Sequence, residues 1–241
     1  MFSALNLHTF ALSLLATLAP APLPVAQNAQ PGNNPTSKKI CYWVFLNRGK
    51  GRENFKGVGK EAFDQMQTEH IKNLTKLNGE GKALTAGPLG ENGNVRGIVV
   101  LNLDEGVRVS DCFTEDPYIQ NDLLRIESYR WLADASKFHK PLSKFRIGEI
   151  TLGILKRGPK WTPPKTGTSE ALPPLKSVAS TGDLAISGEL IEGKEKLEVF
   201  LFRSANRAKI KSSSEKEPDI KSGKYVLELH SQWLDPSVLR R

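Results

Sequence analysis

The sequence predicts an α+β fold made of two β-α-β-β-α-β units in one chain of 241 residues. Two observations support this prediction. Apolar runs of strand length alternate with amphipathic stretches between Cys41 and Leu132, and the rest of the chain repeats their order. Helices on one face of a four-stranded sheet leave the opposite face uncovered, so we expect the two sheets to pack face to face.

The first unit opens with a strand and continues with a helix. Residues 41–46 are apolar and aromatic throughout, which is typical of a central strand. Within residues 61–78, five side chains recur at intervals of three and four and share one helix face: Phe63, Met66, His70, Leu74 and Leu77. His70 is therefore predicted to face inward. Gly79 and Gly81 favour the end of this helix.

The remaining elements complete the unit. Residues 82–86 form a short apolar strand that ends at Gly87-Pro88, because proline has no N–H for a sheet ladder. Asn92-Gly93 is typical of a hairpin turn. There follow a strand at 95–103, a helix at 105–113 capped by Asp104, a loop at 114–118 and a strand at 123–132. This order is the ferredoxin-like arrangement.

The second half of the chain matches the first. Gly81 and Pro117 are 36 residues apart, and so are Gly182 and Pro218, which lie 101 residues further on. The same separation pairs Gly87 with Gly188, Ala86 with Ser187 and Glu91 with Glu192, and Trp131 matches Trp233 after one inserted residue. We therefore predict an internal repeat.

The two copies differ at the positions where we expect the catalytic residues. Ala171 occupies the position of His70, and Glu217 occupies the position of Asp116. Pro173-Pro174 allow only a short first helix in the second copy, because proline is tolerated only in the first turn of a helix. The second copy is thus predicted to keep the order of strands and helices and to lose the candidate site.

The N-terminal segment differs in composition from the rest. Residues 9–19 form an apolar run that is too short to span a bilayer, and a proline-rich polar stretch follows. We expect a signal peptide at 1–28, a disordered spacer at 29–39, a unit with the candidate site at 40–134 and a degenerate copy at 145–236. The mature protein would be periplasmic or secreted and would have no membrane segment.

Composition narrows the class of protein. The chain is 39% hydrophobic and 25% charged, which is typical of a soluble globular protein. Its net charge of +8 is spread among acidic residues, so a nucleic-acid partner is not expected. Cys41 and Cys112 are predicted to be two separate buried thiols, with a disulfide as the alternative. The histidines lack metal-ligand spacing, and neither a metal nor a cofactor is expected.

The first unit resembles the YciI-like (YCII-related) family. The matching pieces are the strand that ends at Leu46, the helix with His70, the stretch Gly81-x-x-Leu84-x-Ala86-Gly87-Pro88, and Asp116-Pro117-Tyr118. The resemblance implies a dimeric α+β barrel, which this chain would build internally as a pseudo-dimer, either as a monomer or in a higher assembly. It also implies that His70 and Asp116 form the active pair.

His70 and Asp116 define the predicted chemistry. Imidazole exchanges protons near neutral pH, and such a pair suits proton abstraction next to a carbonyl, isomerisation or elimination. Arg48 could hold an anionic substrate, and Tyr118 could donate to a substrate oxygen. The alternatives are a core role for His70, an exposed loop charge at Arg48 and packing of Tyr118 under the loop.

Three functions remain open at the level of sequence. The first is a lyase or isomerase that acts on a small molecule through His70 and Asp116. The alternative is a non-catalytic module that binds a small molecule. The third is a basic surface that binds anionic polymers.

Overall fold

The computed structural model describes residues 39–51, 53, 59–140, 146–165, 170 and 172–239. The predicted signal peptide at 1–28 and all but the last residue of the predicted spacer lie outside these ranges, and so does Ala171. No helix within the described ranges is long and apolar enough to cross a membrane.

Within the described ranges, the fold is mixed α+β, with eight strands and few helices. The first half contains β1 (Lys39–Arg48), α1 (Lys60–Gly79), β2 (Ala83–Pro88), β3 (Val95–Asp104), α2 (Pro117–Gln120) and β4 (Leu124–Leu132). The second half contains β5 (Gly148–Arg157), α3 (Lys176–Ala179), β6 (Leu184–Ile191), β7 (Lys196–Phe202), α4 (Arg207–Ser214), α5 (Pro218–Lys221) and β8 (Tyr225–Leu234). Short 3-10 helices also lie at Val109–Phe113, Ala135–Lys137 and Pro236–Leu239.

All eight strands belong to one antiparallel sheet, in the order β2-β3-β1-β4-β6-β7-β5-β8. The two halves join where β4 pairs with β6, with Trp131 opposite Leu190. At the other ends of the sheet, Leu89 forms a bridge with Gln232, and the Gly90 N–H donates to the Ser231 carbonyl at 2.8 Å. The halves are therefore connected in the middle of the strand order and again between its two ends.

Strand β1 is buried on both faces, which explains its unbroken apolar sequence. Trp43 and Phe45 point into a core cluster shared by both halves, whereas Val44 and Leu46 pack in a second cluster with Leu77 of α1. Successive side chains of a strand alternate between its faces, so a strand covered on both sides needs apolar residues at every position.

Two glycines permit the close approach of the halves. A Cβ atom at Gly188 would lie 2.5 Å from the Leu132 carbonyl oxygen of β4, and one at Gly87 would collide with the carbonyl oxygen of Trp233 in β8. Both positions therefore require glycine for a steric reason, since the neighbouring atoms belong to the backbone of the other half.

The predicted helix at 105–113 is wrong over its first half. The Val107 N–H donates to the Asp104 carbonyl at 3.0 Å and closes a turn in which Gly106 has φ +90°. This left-handed glycine conformation cannot start a helix, so only the 3-10 helix Val109–Phe113 forms. Asp104 does not cap it, because the N-cap residue is Arg108.

The cysteines are two separate buried thiols, as predicted. Neither Cys41 nor Cys112 forms a disulfide. Burial raises the pKa of the Cys41 thiol to about 12 and also raises the pKa of Cys112. Both side chains therefore act as small apolar groups.

Candidate functional site

Helix α1 carries the histidine on its buried side. The buried residues of this helix are His70, Asn73 and Leu77, which are spaced by three and four and so share one face. His70 is 7% exposed. The sequence placed His70 on this face but did not include Asn73, because a polar residue on a helix is usually solvated.

Asp116 is fully buried at the start of α2. Its Oδ1 accepts a hydrogen bond from the Tyr118 backbone N–H at 3.0 Å, and Pro117 follows at the first helical position. This is the N-cap geometry that satisfies a free backbone donor at a helix start. The cap fixes the carboxyl group, and its other oxygen points towards α1.

His70 and Asp116 are in direct contact. The His70 Nδ1 atom lies 2.7 Å from Asp116 Oδ2. Asn73 donates to the same oxygen at 3.4 Å and to the Cys112 carbonyl at 3.2 Å. A carboxylate accepts hydrogen bonds only, so a neutral imidazole in this contact would carry its proton on Nδ1 and its free electron pair on Nε2. Nε2 has no hydrogen-bond partner among the described residues.

Tyr118 packs on the histidine. The rings of His70 and Tyr118 are stacked, with centroids 4.9 Å apart and planes 11° from parallel. The Tyr118 hydroxyl donates to Gln67 Oε1 at 2.6 Å, so this group is already bonded to α1. Together the stacked ring and the Asp116 carboxylate restrict rotation of the imidazole.

Arg48 lies at a different place. Its Nη2 donates to Asn92 Oδ1 at 2.8 Å, in the turn between β2 and β3. In the described part of the chain no hydrogen bond or ion pair joins Arg48 to His70, Asp116 or Tyr118. The structure thus brings together three of the four predicted site residues.

A cavity of about 200 Å³ lies next to His70 and Asp116. Asn73, which donates to Asp116, is part of its lining. Its lining includes Lys76, Lys82 and Cys112, but neither His70 nor Asp116. Within the described ranges, no group of three or more His, Cys, Asp or Glu side chains is arranged to hold a metal ion.

The second half contains a related acidic corner, in which no histidine of the described ranges bonds to the acid. Glu217 precedes Pro218 at the start of α5, as Asp116 precedes Pro117 at the start of α2. Glu217 Oε1 accepts a hydrogen bond from the Ser177 backbone N–H of α3 at 2.5 Å. In both halves, the acid before the proline therefore ties this corner to the first helix of that half.

No family model matches the chain, and no curated protein matches it. Among solved structures, it is similar to a candidate monooxygenase from Lactobacillus acidophilus NCFM, with 12% sequence identity and a TM-score of 0.39 over 82% of this chain and 94% of that chain. It is also similar to the siroheme decarboxylase NirDL in complex with an iron-uroporphyrin III analogue, with 8% identity and a TM-score of 0.37 over 80% of this chain and 71% of that chain. At these identities and TM-scores, neither structure assigns a family or an activity to this chain.

Proposed function

We propose that the protein acts on a small molecule by acid–base chemistry at His70, with Asp116 holding the imidazole in the required tautomer. The observation that carries this proposal is the 2.7 Å separation of His70 Nδ1 and Asp116 Oδ2, with Asp116 fully buried. Because the carboxylate accepts the Nδ1 proton, Nε2 is the atom available for proton exchange with a substrate.

The reaction class is proton transfer next to a carbonyl group, as in isomerases and lyases. Nε2 would take a proton from the substrate carbon, and the electron pair of the broken C–H bond would move towards the carbonyl oxygen. Return of the proton to a second carbon gives isomerisation, whereas loss of a leaving group from the β-carbon gives elimination. A positioned acid–base group contributes about 10²–10⁴-fold to such rates.

We further propose that the halves are two ferredoxin-like units that form an internal dimeric α+β barrel, as the YciI-like resemblance implies. The two halves have the same strand order, and they are joined by the β4–β6 pairing in the middle of the sheet and by the bridge between Leu89 and Gln232 at its two ends. Helices Pro117–Gln120 and Pro218–Lys221 are 101 residues apart, which supports an internal repeat. Export and a periplasmic or secreted location stay predictions from the N-terminal sequence.

A second candidate function is a small-molecule-binding module without turnover. The Glu217 corner favours it, because an acid at this position bonds to the first helix even where no histidine is present. In this case the contact between His70 and Asp116 would be a structural tether between α1 and α2.

Solvent deuterium exchange tests the proposal without knowledge of the natural substrate. Small keto acids, enol lactones and hydroxylated aromatic compounds are incubated with the protein in D₂O, and proton NMR follows C–H signals next to carbonyl groups. The variants are His70→Ala, His70→Asn and, as a histidine control outside the site, His139→Ala. The asparagine amide can donate near the position of Nδ1 and so keep the contact with Asp116 while removing the base.

We expect exchange with the unaltered protein and with His139→Ala, and a rate at least about 100-fold lower with both His70 variants. The His70→Asn variant should remain close to the unaltered protein in thermal stability. Exchange that persists in His70→Asn would contradict the proposal. If no compound exchanges and only His70→Ala loses stability, the contact between His70 and Asp116 is a structural tether. That result would support the binding module without turnover.

A further inference from the structure

The second half contains a groove between α3 and the strands β6 and β7. Its volume is about 480 Å³, which lies in the range of small-molecule pockets. Most of its wall is apolar and comes from Leu172, Leu175, Ala179, Leu184 and Phe200. Three polar side chains on the strands also line it: Ser187, Glu189 and Glu198.

The short helix α3 explains why this groove exists. In the first half, α1 has 20 residues, and its Leu74 and Leu77 pack in one cluster with Val99 of β3. In the second half, α3 has four residues, and the prolines at 173 and 174 precede it. Phe200, which lies 101 residues after Val99, therefore borders open space as well as core.

Two carboxyl groups lie side by side in the lining of this groove. Glu189 of β6 lies directly opposite Glu198 of β7 in the strand register, and Ser187 hydrogen-bonds to Glu198. Lys176 also lines the groove, but no lysine, arginine or histidine of the described ranges forms an ion pair with either carboxyl. Burial and, to a smaller extent, repulsion by Glu189 raise the pKa of Glu198 to about 7.

We propose that this groove binds a small organic cation, namely an amine with an apolar body. The ammonium group would donate hydrogen bonds to the Glu189 and Glu198 carboxylates, and charge-assisted bonds of this type are stronger than neutral ones. The apolar body would pack against Phe200 and the leucine side chains. An anionic ligand is disfavoured because both groove carboxyls would repel it. The site lies in the second half and does not depend on the chemistry proposed for His70.

Ligand titration with the full chain tests this proposal. The probe is phenethylammonium chloride, and phenethyl alcohol is the neutral compound of nearly the same shape. Methyl NMR of leucine-labelled protein reports binding through Leu172, Leu175 and Leu184. The variants are Glu198→Gln and Glu189→Gln, with Glu195→Gln as a matched control at an exposed glutamate in the turn between the same two strands.

We expect saturable shifts of the three leucines with the amine, and affinity at least about tenfold lower for the alcohol and for Glu198→Gln. Glu189→Gln should also lower the affinity for the amine, and Glu195→Gln should bind the amine like the unaltered protein. Equal affinity for amine and alcohol would overturn the proposal. Unchanged binding by Glu198→Gln, or the lack of saturation with the unaltered protein, would overturn it as well.

Discussion

At the scale of single residues, Asp116 connects the helix start to the imidazole. One carboxylate oxygen caps α2 through the Tyr118 N–H, and the other accepts hydrogen bonds from His70 and Asn73. Because the group is fully buried, its loss leaves several donors without a partner.

We expect Asp116→Ala to lower the free energy of unfolding by about 1–3 kcal/mol, since it removes a cap and a buried acceptor together. Asp134 is a matched control, because it also caps a short helix, accepting from the Ser136 N–H at 3.0 Å, but is exposed and has no histidine partner. Urea unfolding of both alanine variants measures the difference. A loss for Asp116→Ala no larger than for Asp134→Ala would contradict this account.

The raised pKa of Glu198 predicts a pH-dependent effect of Glu198→Gln. Its pKa rises from an ordinary value of 4.5 to about 7 on folding, so ionisation of this carboxyl opposes folding as pH increases through that window. The variant should be more stable than the unaltered protein above pH 7, by on the order of 1–3 kcal/mol. The difference should vanish below pH 4.5. Urea unfolding between pH 4 and pH 8 checks this, and a constant difference would contradict it.

Part of the candidate site was predictable at this scale. The spacing of apolar residues placed His70 on the inner face of its helix, whereas the loop predicted at 114–118 missed the helix that starts at Pro117 with Asp116 as its N-cap. Asn73 and Gln67 were not predicted, because their partners, Cys112, Asp116 and Tyr118, are distant in sequence. Asn73 follows His70 by three residues and therefore lies on the same helix face, and this spacing was the sequence feature that could have identified it.

At the scale of elements, the strands follow from their sequences more closely than the short helices do. Residues buried on both faces of β1 give an unbroken apolar run, which is a strong signal. The error at 105–113 arose because the helix pattern there is short and a left-handed Gly106 interrupts it. The two prolines before α3 correctly predicted a short helix in the second half.

The junction of β4 and β6 predicts a large effect of Gly188→Ala. The new methyl group would lie 2.5 Å from the Leu132 carbonyl oxygen, so the strand pairing must shift. We expect a loss of about 1–3 kcal/mol in unfolding free energy. Gly93→Ala is the control, because nothing lies within 4 Å of its new methyl group. Similar stability of the two variants in urea unfolding would contradict the proposed role of this glycine.

At the scale of the whole molecule, one core cluster contains residues of both halves. Trp43 and Trp131 of the first half share it with Leu152 and Leu201 of the second. The succession of strands along each half was predictable from the sequence, but the bridge between Leu89 and Gln232 was not, because it joins residues far apart along the chain.

The shared core predicts that residues 39–239 unfold as one cooperative unit. Tryptophan fluorescence and far-UV circular dichroism should give a single transition with the same midpoint in urea, since neither half can expose its face of the core alone. Two separate transitions, or different midpoints by the two methods, would show that the halves are stable independently.

The most direct test of the central claim is the tautomer of His70, measured by nitrogen-15 NMR of the imidazole at alkaline pH. The contact with Asp116 predicts that the proton is on Nδ1 in the unaltered protein. The preference should weaken in Asp116→Asn, because the asparagine amide can also donate to Nδ1. A proton found on Nε2 in the unaltered protein would contradict the account.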